Sequence, residues 1–598
     1  MNSVAGEDPR REYATRLEAR RATAARWAAQ ARAISHARLL LAAGVVLAWW
    51  ALAQLGLSRA WLLLPVGVFL ALILLHERAR RAHTRAERAV GYYEHGLACL
   101  DDRFAGRGRG GEEFADASHP YALHLDVFGR GSLFERLSRA QTRAGEETLA
   151  RWLCTPADPA EVRARQVAVA ELRPGLDLRE RQAVVGPEVR AGVHPEALAA
   201  WGAAPPRLAF PGLRWVGAAL VALTTSALAA AIWGGAGLGP LLGALCLQGL
   251  FGLGLRSRVS GVLADVEKPA RELGIFALLL EGIERERFEA PRLVELRAAL
   301  QGRHRVPSEE IGRLRRLVDL LDARRNQLFA PISVLLLWST QIAFAIEAWR
   351  RECGSEVARW LEVAGEFEAL CDLASYAYEC PADPFPELTE EGPRFEGEQI
   401  GHPLLPESRC VRNDLRLDPK LSLLVVSGSN MSGKSTLLRT VGVNAVLGLA
   451  GAPVRARRLV LSPLAIGASL RVQDSLQEGT SRFYAEIRGL HRAVELCSES
   501  RPVLFLFDEI LQGTNSHDRR IGAAAVARGL VERGAVGLIT THDLALAEIA
   551  NELAPRARNV HFQDQLSNGK MYFDYRLRDG VITKSNALAL MRSVGLEV

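Results

Sequence analysis

The sequence predicts an all-α region that carries two transmembrane helical hairpins, followed by an α/β domain with a largely parallel sheet and flanking helices. Three observations support this prediction. Two long regions, 39–75 and 215–255, contain no charged residue other than Arg59. Apolar residues recur at helical spacing among charged ones in the regions that follow each of them. Beyond residue 420, short apolar runs typical of buried parallel strands are separated by helical segments.

The composition is that of a folded protein with several domains. A chain of 598 residues, of which 49% are hydrophobic and 24% charged, is too long for one core and is neither disordered nor fibrous. The eight cysteines are scattered without a CxxC pair, which excludes a disulfide scaffold and a zinc ribbon. Only five of the 74 basic residues are lysines, so the net charge of +6 reflects an arginine bias and is weak evidence for nucleic-acid binding.

The uncharged regions are long enough for helices that cross a bilayer, since about 20 helical residues span its core. The runs Leu39–Leu57 and Ala60–Leu75 form the first predicted hairpin, and Trp215–Leu255, interrupted by the sequence GGAG, forms the second. Eight arginines precede the first run and five lie between 78 and 88, whereas the turns hold one arginine or none. By the positive-inside rule, these four predicted spans anchor a multi-pass protein in the inner (cytoplasmic) membrane, with its other domains in the cytoplasm.

An apolar strand followed by a glycine-rich loop opens the α/β domain. Leu423–Val426 precedes the sequence SGSNMSGKST at 427–436, which has the form G-x-x-x-x-G-K-S, and a helical run follows. Backbone N–H groups in such a loop, together with the N-terminus of the next helix, bind phosphate. We therefore predict that this loop binds ATP, that Lys434 contacts the β- and γ-phosphates, and that the Ser435 hydroxyl holds Mg²⁺.

Two further apolar strands end in polar residues suited to ATP hydrolysis. Val503–Phe507 is followed by Asp508 and Glu509, and Val536–Thr540 leads to His542. Because the carboxyl ends of parallel strands meet at one edge of a sheet, these side chains are expected to lie close together. We predict that Asp508 holds Mg²⁺, that Glu509 is the general base for the attacking water, and that His542 senses the γ-phosphate. The alternative for His542 is a purely structural role.

A third uncharged run, Leu328–Ile346, contains Pro331 and several hydroxyl and amide side chains, so it is less apolar than the other two regions. A single span at this position would place the ATP-binding segments on the far side of the membrane, away from cytoplasmic ATP. We therefore predict a buried helix of the soluble region.

With these motifs the sequence resembles the MutS family of ATPases, the mismatch-repair proteins and their relatives. The run SGSNMSGKSTLLR at 427–439 is similar to the family's phosphate-binding loop, and DSLQEGTSRFYAE at 474–486 is similar to its signature segment. DEILQGTNS at 508–516 and TTHD at 540–543 resemble its acidic stretch and its histidine switch. The four segments follow one another in the family's order, so the resemblance is specific.

The resemblance implies a head-to-tail homodimer of ATPase domains with composite sites. Ser481 would then reach the γ-phosphate that the other chain's Lys434 loop binds, while Asn430 lines the phosphate site. Gly513 and Thr514 would lie at the dimer seam. The complete set predicted to bind ATP is Gly428, Asn430, Gly433, Lys434, Ser435, Thr436 and Ser481, and the set predicted to bind Mg²⁺ is Ser435 and Asp508.

The family also implies DNA as the partner, in a mismatched, branched or damaged form. We expect this chain to be a membrane-anchored variant that lacks the mismatch-reading and connector domains, because only the first hairpin precedes the core-like region. Three alternatives stay open: an ATPase that acts on a protein or membrane partner without DNA, an ABC-type transporter, and a binding scaffold with a regulatory nucleotide and negligible turnover. A transporter would require an LSGGQ-like signature, and the sequence has none.

The fold class predicted for the C-terminal domain is an α/β P-loop ATPase of the ABC or MutS type. A weaker likeness, around 131–166 and 366–377, is to the core or lever domain of the MutS family. The predicted segments are a cytoplasmic basic tail (1–37), a first transmembrane hairpin (38–76), a first core- or lever-like helical region (77–211), a second transmembrane hairpin (212–256), a second core- or lever-like helical region (257–398) and the ATPase domain (399–598).

Overall fold

The computed structural model describes residues 8–55, 58–184, 195–208, 210, 212–235, 237–301, 305–322, 329–470, 482–512, 514–567 and 570–582. The chain forms two compact units. The first unit comprises Met1–Arg139, Leu149–Val184 and Leu370–Val598, and the second comprises Ala140–Thr148 and Val185–Ala369.

The described residues are helical before residue 387 and mixed after it, as the sequence predicts. The helices are α1 (Pro9–Leu55), α2 (Leu63–Leu100), α3 (Leu133–Leu137), α4 (Arg143–Cys154), α5 (Pro159–Leu172), α6 (Leu176–Val184), α7 (Pro195–Ala203), α8 (Gly212–Trp233), α9 (Gly239–Arg285), α10 (Pro291–Ala299), α11 (Pro307–Asp322), α12 (Ala330–Leu335), α13 (Trp338–Cys353), α14 (Val357–Glu379), α15 (Lys434–Ala450), α16 (Arg482–Leu496), α17 (Ser516–Glu532) and α18 (Glu548–Glu552). The strands are β1 (Glu387–Leu388), β2 (Phe395–Ile400), β3 (Asn413–Leu417), β4 (Leu423–Ser427), β5 (Arg458–Leu461), β6 (Ala465–Ser469), β7 (Val503–Phe507), β8 (Val536–Thr541), β9 (Ala557–Ser567) and β10 (Lys570–Asp579).

The strands form two sheets in the first unit. The larger sheet has the order β10-β9-β4-β8-β7-β6, and all its neighbouring strands are parallel except β10 and β9. The smaller sheet has the order β1-β5-β2-β3, in which β1 and β5 are parallel and the other pairs antiparallel. The prediction of a largely parallel sheet with flanking helices is confirmed for this domain.

The three predicted strands β4, β7 and β8 are central in the larger sheet. Every residue of all three strands is buried, because both faces of the sheet are covered. Continuous apolar runs without alternation are typical of strands buried on both faces, and this is the signal that predicted them. In register, Val425 of β4 lies opposite Ile539 of β8, and Ile539 lies opposite Phe507 of β7. The three strands therefore end at the same edge of the sheet.

The segment predicted as a basic tail (1–37) is helical from Pro9. Tyr13 and Leu17, one helical turn apart, are buried against Tyr92 and Tyr93 near the end of α2. The Tyr13 hydroxyl donates to Oε1 of Glu379, 3.2 Å away, at the end of α14. The arginines around these apolar residues dominate the composition, but the four-residue spacing places one face of α1 in the core of the first unit.

Helix pairs occupy both regions predicted to cross a membrane. Within the described residues, three helices are long and apolar enough to cross one: α1, α8 and α9. The second predicted span lies in α2, whose apolar stretch is short because Glu77 follows closely. Large apolar side chains on these helices point outward; Leu40 is 75% exposed and Trp233 is 84% exposed. The four spans stay a prediction.

The run Leu328–Ile346 is not one buried helix, which corrects the prediction made for it. It contains α12 and the start of α13, and Leu337 between them has a left-handed φ of 48°. Side chains of α12 are also exposed, with Ile332 at 48% and Val334 at 73%. Within the run, the α13 side chains Ile342, Phe344 and Ile346 are buried, whereas the α12 part exposes apolar side chains.

Candidate functional site

The glycine-rich loop connects β4 to α15. Three of its residues have the backbone conformation or the close contacts that are typical of a tight turn. Gly433 has a φ of 101° immediately before the first helical residue, Lys434, and Met431 has a left-handed φ of 67°. A Cβ on Gly428 would lie 2.6 Å from Oγ of Ser432, so this position has no room for a side chain. The loop therefore wraps closely around a point in front of the N-terminus of α15, where the free N–H groups favour an anion.

Lys434 is buried at the base of this loop. Its Nζ donates to the carbonyl oxygens of Gly428 and Ser429, both at 2.9 Å. The same ammonium lies 3.3 Å from Oε1 of Glu509. Among the residues that the structure describes, the hydroxyls of Ser429 and Ser432 are buried and have no hydrogen-bond partner. A loop with two unpartnered buried hydroxyls and a buried cation fits the oxygens of a polyphosphate.

Asp508 and Glu509 directly follow β7 and are held by Thr540 of β8. The Thr540 hydroxyl donates to Oδ1 of Asp508, and it accepts from the backbone N–H of Glu509 at 3.0 Å. The backbone N–H of Asp508 donates to the carbonyl of Ser469 in β6, at 2.9 Å. Glu509 has a left-handed φ of 51°, which turns the chain sharply at the end of the strand. Two neighbouring strands thus fix the Asp508 carboxylate and the backbone at Glu509.

Among the residues that the structure describes, three side chains contact the Glu509 carboxylate. Besides Lys434, Nδ1 of His542 lies 3.3 Å from its Oε1, and the Gln512 amide donates to its Oε2. Burial raises the pKa of Glu509, but the Lys434 ammonium and the His542 imidazole together lower it by more than burial raises it. The pKa of Glu509 is therefore below its usual value. The group is therefore a carboxylate at neutral pH, which is the form that can accept a proton.

A cavity of about 1160 Å³ opens in front of the loop and the two carboxylates. Its volume suits a nucleotide-sized ligand. One wall is formed by side chains from β10, and another by the segment after β2. The predicted residues that line the cavity are Asn430, Gly433, Lys434, Ser435, Thr436, Asp508 and Glu509.

The aromatic wall of β10 is the main feature of the cavity that sequence reasoning missed. Tyr572, Phe573 and Tyr575 line it, and flat aromatic rings can stack on a base. Asn413 of β3 holds a bulge in this strand, since its Nδ2 donates to the carbonyl of Tyr575 at 3.0 Å and its Oδ1 accepts from the N–H of Leu577 at 2.8 Å. The alternation of apolar and polar residues at 573–577 is typical of a strand, but it does not place that strand beside the P-loop.

The predicted site residues fall into two groups. The structure brings together the cavity-lining residues, with Gly428 bound to Lys434 and His542 bound to Glu509. Ser481 and Gly513 lie outside the described residues. Ser435 and Asp508 both line the cavity, and one hydroxyl with one carboxylate fits Mg²⁺, which takes its remaining ligands from phosphates and water. The roles of all these residues stay predictions.

A parallel sheet with a G-x-x-x-x-G-K-S loop before a central helix, and with acidic residues after a neighbouring strand, defines a P-loop nucleotide-binding domain. Residues 424–597 match the family described as MutS domain V. This match supports a MutS-family protein and coincides with the domain that contains the cavity.

Similar proteins carry MutS names. The chain is 33% identical over 213 residues to "Endonuclease MutS2" of Thermus thermophilus, which covers 34% of this chain and 27% of that protein. It is 30% identical over 241 residues to "DNA mismatch repair protein MutS" of Thermotoga neapolitana, and the aligned part covers 40% of this chain and 30% of that protein. It is 33% identical over 189 residues to "DNA mismatch repair protein MutS" of Geobacillus kaustophilus, and the aligned part covers 31% of this chain and 21% of that protein. The chain thus spans less than a third of the length of these relatives.

His402, which lines the cavity, gives a prediction for pH dependence. Burial lowers its pKa to about 4, and Arg439 and Arg455 add to this effect. The unfolded chain takes up a proton on this histidine near pH 6.5 but the folded chain does so only near pH 4. Its contribution to stability is therefore complete above pH 6.5, and about 3 kcal/mol is lost as the pH falls to 4.

We expect the His402→Asn variant, which keeps an acceptor for the Leu404 N–H, to lose less unfolding free energy than the wild type between pH 7 and pH 4.5. Urea unfolding at both pH values measures this difference. The control is His491→Asn, the same substitution at a histidine whose side chain is exposed on α16. Equal pH dependence of the His402 variant and the wild type would contradict the prediction.

Proposed function

We propose that this protein is a membrane-anchored, MutS-like ATPase that uses ATP binding and hydrolysis in a head-to-tail homodimer to control its binding of DNA. The observation that supports the ATPase most directly is the contact of Lys434 and His542 with the same carboxylate, Glu509, at the mouth of the P-loop. A protein that only bound nucleotide would have no need of a charged carboxylate at this position.

Each residue of the site has a distinct role in the proposed reaction. Lys434 exchanges its carbonyl partners for the β- and γ-phosphate oxygens of ATP. Ser435 and Asp508 would hold Mg²⁺, which would neutralise charge on these phosphates. Glu509 accepts a proton from water while the water oxygen bonds to the γ-phosphorus and the bond to the β-phosphate oxygen breaks. His542, next to Glu509, donates to the charge that develops on the γ-phosphate. ADP and phosphate are the products.

Glu509→Gln tests the role of the base. Glutamine keeps the size of the side chain but cannot accept the proton, so we expect ATP turnover to fall by about 100-fold or more while ATP binding is kept. Steady-state turnover and equilibrium binding of ATP measure the two effects separately. Glu548→Gln is the control, since Glu548 pairs with Arg520 on the surface of α17 and α18. Undiminished hydrolysis by the Glu509 variant would rule out its role as base.

The proposed dimer follows from the resemblance to MutS proteins rather than from a contact between chains. Lys434 and Glu509 belong to one face of the ATPase domain. Ser481, which lies outside the described residues, would complete the site of the other chain. Each active site would then need two chains.

Mixed dimers test the composite site. Lys434→Met and Ser481→Ala chains, carrying different tags, are co-expressed and the dimer with one chain of each kind is isolated. We expect each variant alone to have little turnover, and the mixed dimer to recover about half of the wild-type turnover, because one of its two sites has both residues intact. No recovery in the mixed dimer would show that the two residues act in the same chain's site.

The proposed location is the inner membrane, with the ATPase domain in the cytoplasm. Support comes from the length and apolar composition of α1, α8 and α9, and from the large apolar side chains that these helices expose to their surroundings. Soluble proteins rarely expose continuous apolar surface of this extent. The arginines flanking the helix pairs favour entry from the cytoplasmic side.

DNA is the proposed ligand because two of the similar proteins are named for DNA mismatch repair. The membrane-type helices favour a second candidate, a protein or lipid partner at the membrane, which the same experiment distinguishes. ATP turnover of the full-length protein in nanodiscs is measured at about 50 mM and about 200 mM salt, the range over which phosphate contacts weaken strongly. The additions are homoduplex, mismatched and branched DNA, each compared with no DNA.

We expect DNA to raise turnover, and the increase to be smaller at the higher salt concentration, because contacts to the phosphate backbone release counterions. A preference for branched over mismatched DNA would indicate recognition of structure. Turnover that is the same with and without every DNA would contradict DNA as the ligand and favour the membrane partner, while the ATPase assignment would stand on the Glu509 variant.

A further inference from the structure

The second unit contains a polar network in the middle of the apolar helix pair α8–α9. Thr224 of α8 and Gln248 of α9 are both buried, and the Thr224 hydroxyl donates to Oε1 of Gln248 at 2.7 Å. The Gln248 amide then donates to two backbone carbonyls, those of Val334 at 3.0 Å and Leu335 at 2.8 Å. These carbonyls belong to the end of α12, where the helix breaks.

The position of this network along the helices is central. Gln248 lies nine residues after Gly239, where α9 begins, and eight residues before Arg256, the first charged residue of that helix. At about 1.5 Å per residue, these separations are roughly 13 Å and 12 Å. Thr224 has the same place in α8, ten residues after Arg214 and nine before the end of the helix. If α8 and α9 cross the bilayer, α12 ends near its midplane.

The break between α12 and α13 is stabilised by this network. Leu337 has a left-handed φ of 48°, so the two helices cannot form one continuous ladder of hydrogen bonds. Irregular backbone is tolerated at membrane depth only where protein groups satisfy it. Gln248 supplies both amide hydrogens to the break, and a buried glutamine in an otherwise apolar helix pair is explained by this task.

The outer surface of the same segment is apolar and exposed. Val334 is 73% exposed and Ile332 is 48% exposed, although their neighbours in the chain pack against the helix pair. Leu247 and Leu250, which flank Gln248 on α9, are 54% and 68% exposed. The apolar surface of α12 is therefore at the same level of the helix pair as exposed apolar side chains of α9.

We propose that residues 329–337 form a re-entrant segment that enters the membrane beside the second hairpin, turns near the midplane and returns as α13, with Ile332 and Val334 facing lipid acyl chains. This inference rests on the proposed membrane anchor. It differs from the expected soluble helix, and it keeps the ATPase domain in the cytoplasm because the chain enters and leaves on one side. The first charged residues of α13, Glu347 and Arg350, pair with each other beyond the uncharged run.

Photocrosslinking identifies what surrounds this segment. A benzophenone amino acid replaces Val334, Leu250 or Val294 in the full-length protein in nanodiscs, and mass spectrometry identifies the adducts. Leu250 reports on the proposed anchor itself, and Val294, which is 44% exposed on α10, is the control expected to lie outside the membrane. We expect lipid adducts at 334 and 250 and none at 294.

The other outcomes separate the inference from the anchor. Lipid adducts at 250 without lipid adducts at 334 would overturn the re-entrant segment and leave the anchor standing. Adducts at 334 with a second copy of the chain, or with a different protein, would overturn the assignment of lipid as the occupant. The absence of lipid adducts at both positions would contradict the membrane anchor, and the segment with it.

A second measurement tests Gln248 as the positioning residue. The Gln248→Met variant keeps the size of the side chain but removes both donors. We expect amide hydrogen exchange in peptides covering 330–341 to become about tenfold faster, since hydrogen bonds between membrane helices are individually modest. Peptides of α9 beyond Arg256 should be unchanged. The matched control is Gln301→Met, at an exposed position. Unchanged exchange in the Gln248 variant would rule out this role.

Discussion

The parallel register of β4, β7 and β8 is the constraint on which the candidate site depends. Because all three strands are fully buried, a slip by one residue would turn every side chain to the opposite face, and the apolar packing prevents this. The register brings the P-loop, the pair Asp508–Glu509 and His542 to one edge of the sheet. Thr540 links two of these elements directly, since it contacts both acidic residues. The chemistry of the site thus follows from the packing of strands that never touch a ligand.

A second set of buried charges holds the first unit together away from the site. Glu379 at the end of α14 is wholly buried and pairs with Arg136 and Arg139. Burial raises the pKa of the Glu379 carboxyl, but the two guanidinium groups lower this pKa by more than burial raises it. The carboxyl group therefore stays charged. Removing one member of a buried ion pair costs about 3–5 kcal/mol, because the other charge is left without a partner. The group lies eight residues before β1, so it fixes the chain where the helical region leads into the sheets.

The sequence predicted those elements whose structure is determined by the residues within the element itself. The strand Val503–Phe507 was predicted because a short apolar run without charges is typical of a buried strand. The place of Lys434 in a phosphate-binding loop was predicted because the loop's motif has a fixed spacing. The wall that includes Tyr572 was not predicted, since its place beside the P-loop depends on the pairing of β10 with β9. The break at Leu337 was missed for a similar reason: it is stabilised by Gln248, 89 residues earlier in the sequence. Contacts between distant segments leave no periodic trace in either segment.

The start of α1 has a practical consequence for anyone who shortens this protein at its apolar helices. Deleting everything up to the end of the first apolar region would also remove Tyr13 and Leu17, which fill the space beside Tyr92 and Tyr93. This deletion would expose an apolar patch on α2. The Glu379 carboxylate would lose the hydrogen bond that it accepts from the Tyr13 hydroxyl. A short linker in place of the outer halves of α1 and α2 would leave that packing complete. The boundary between the proposed anchor and the rest of the first unit therefore cuts across both helices rather than falling between two segments of the chain.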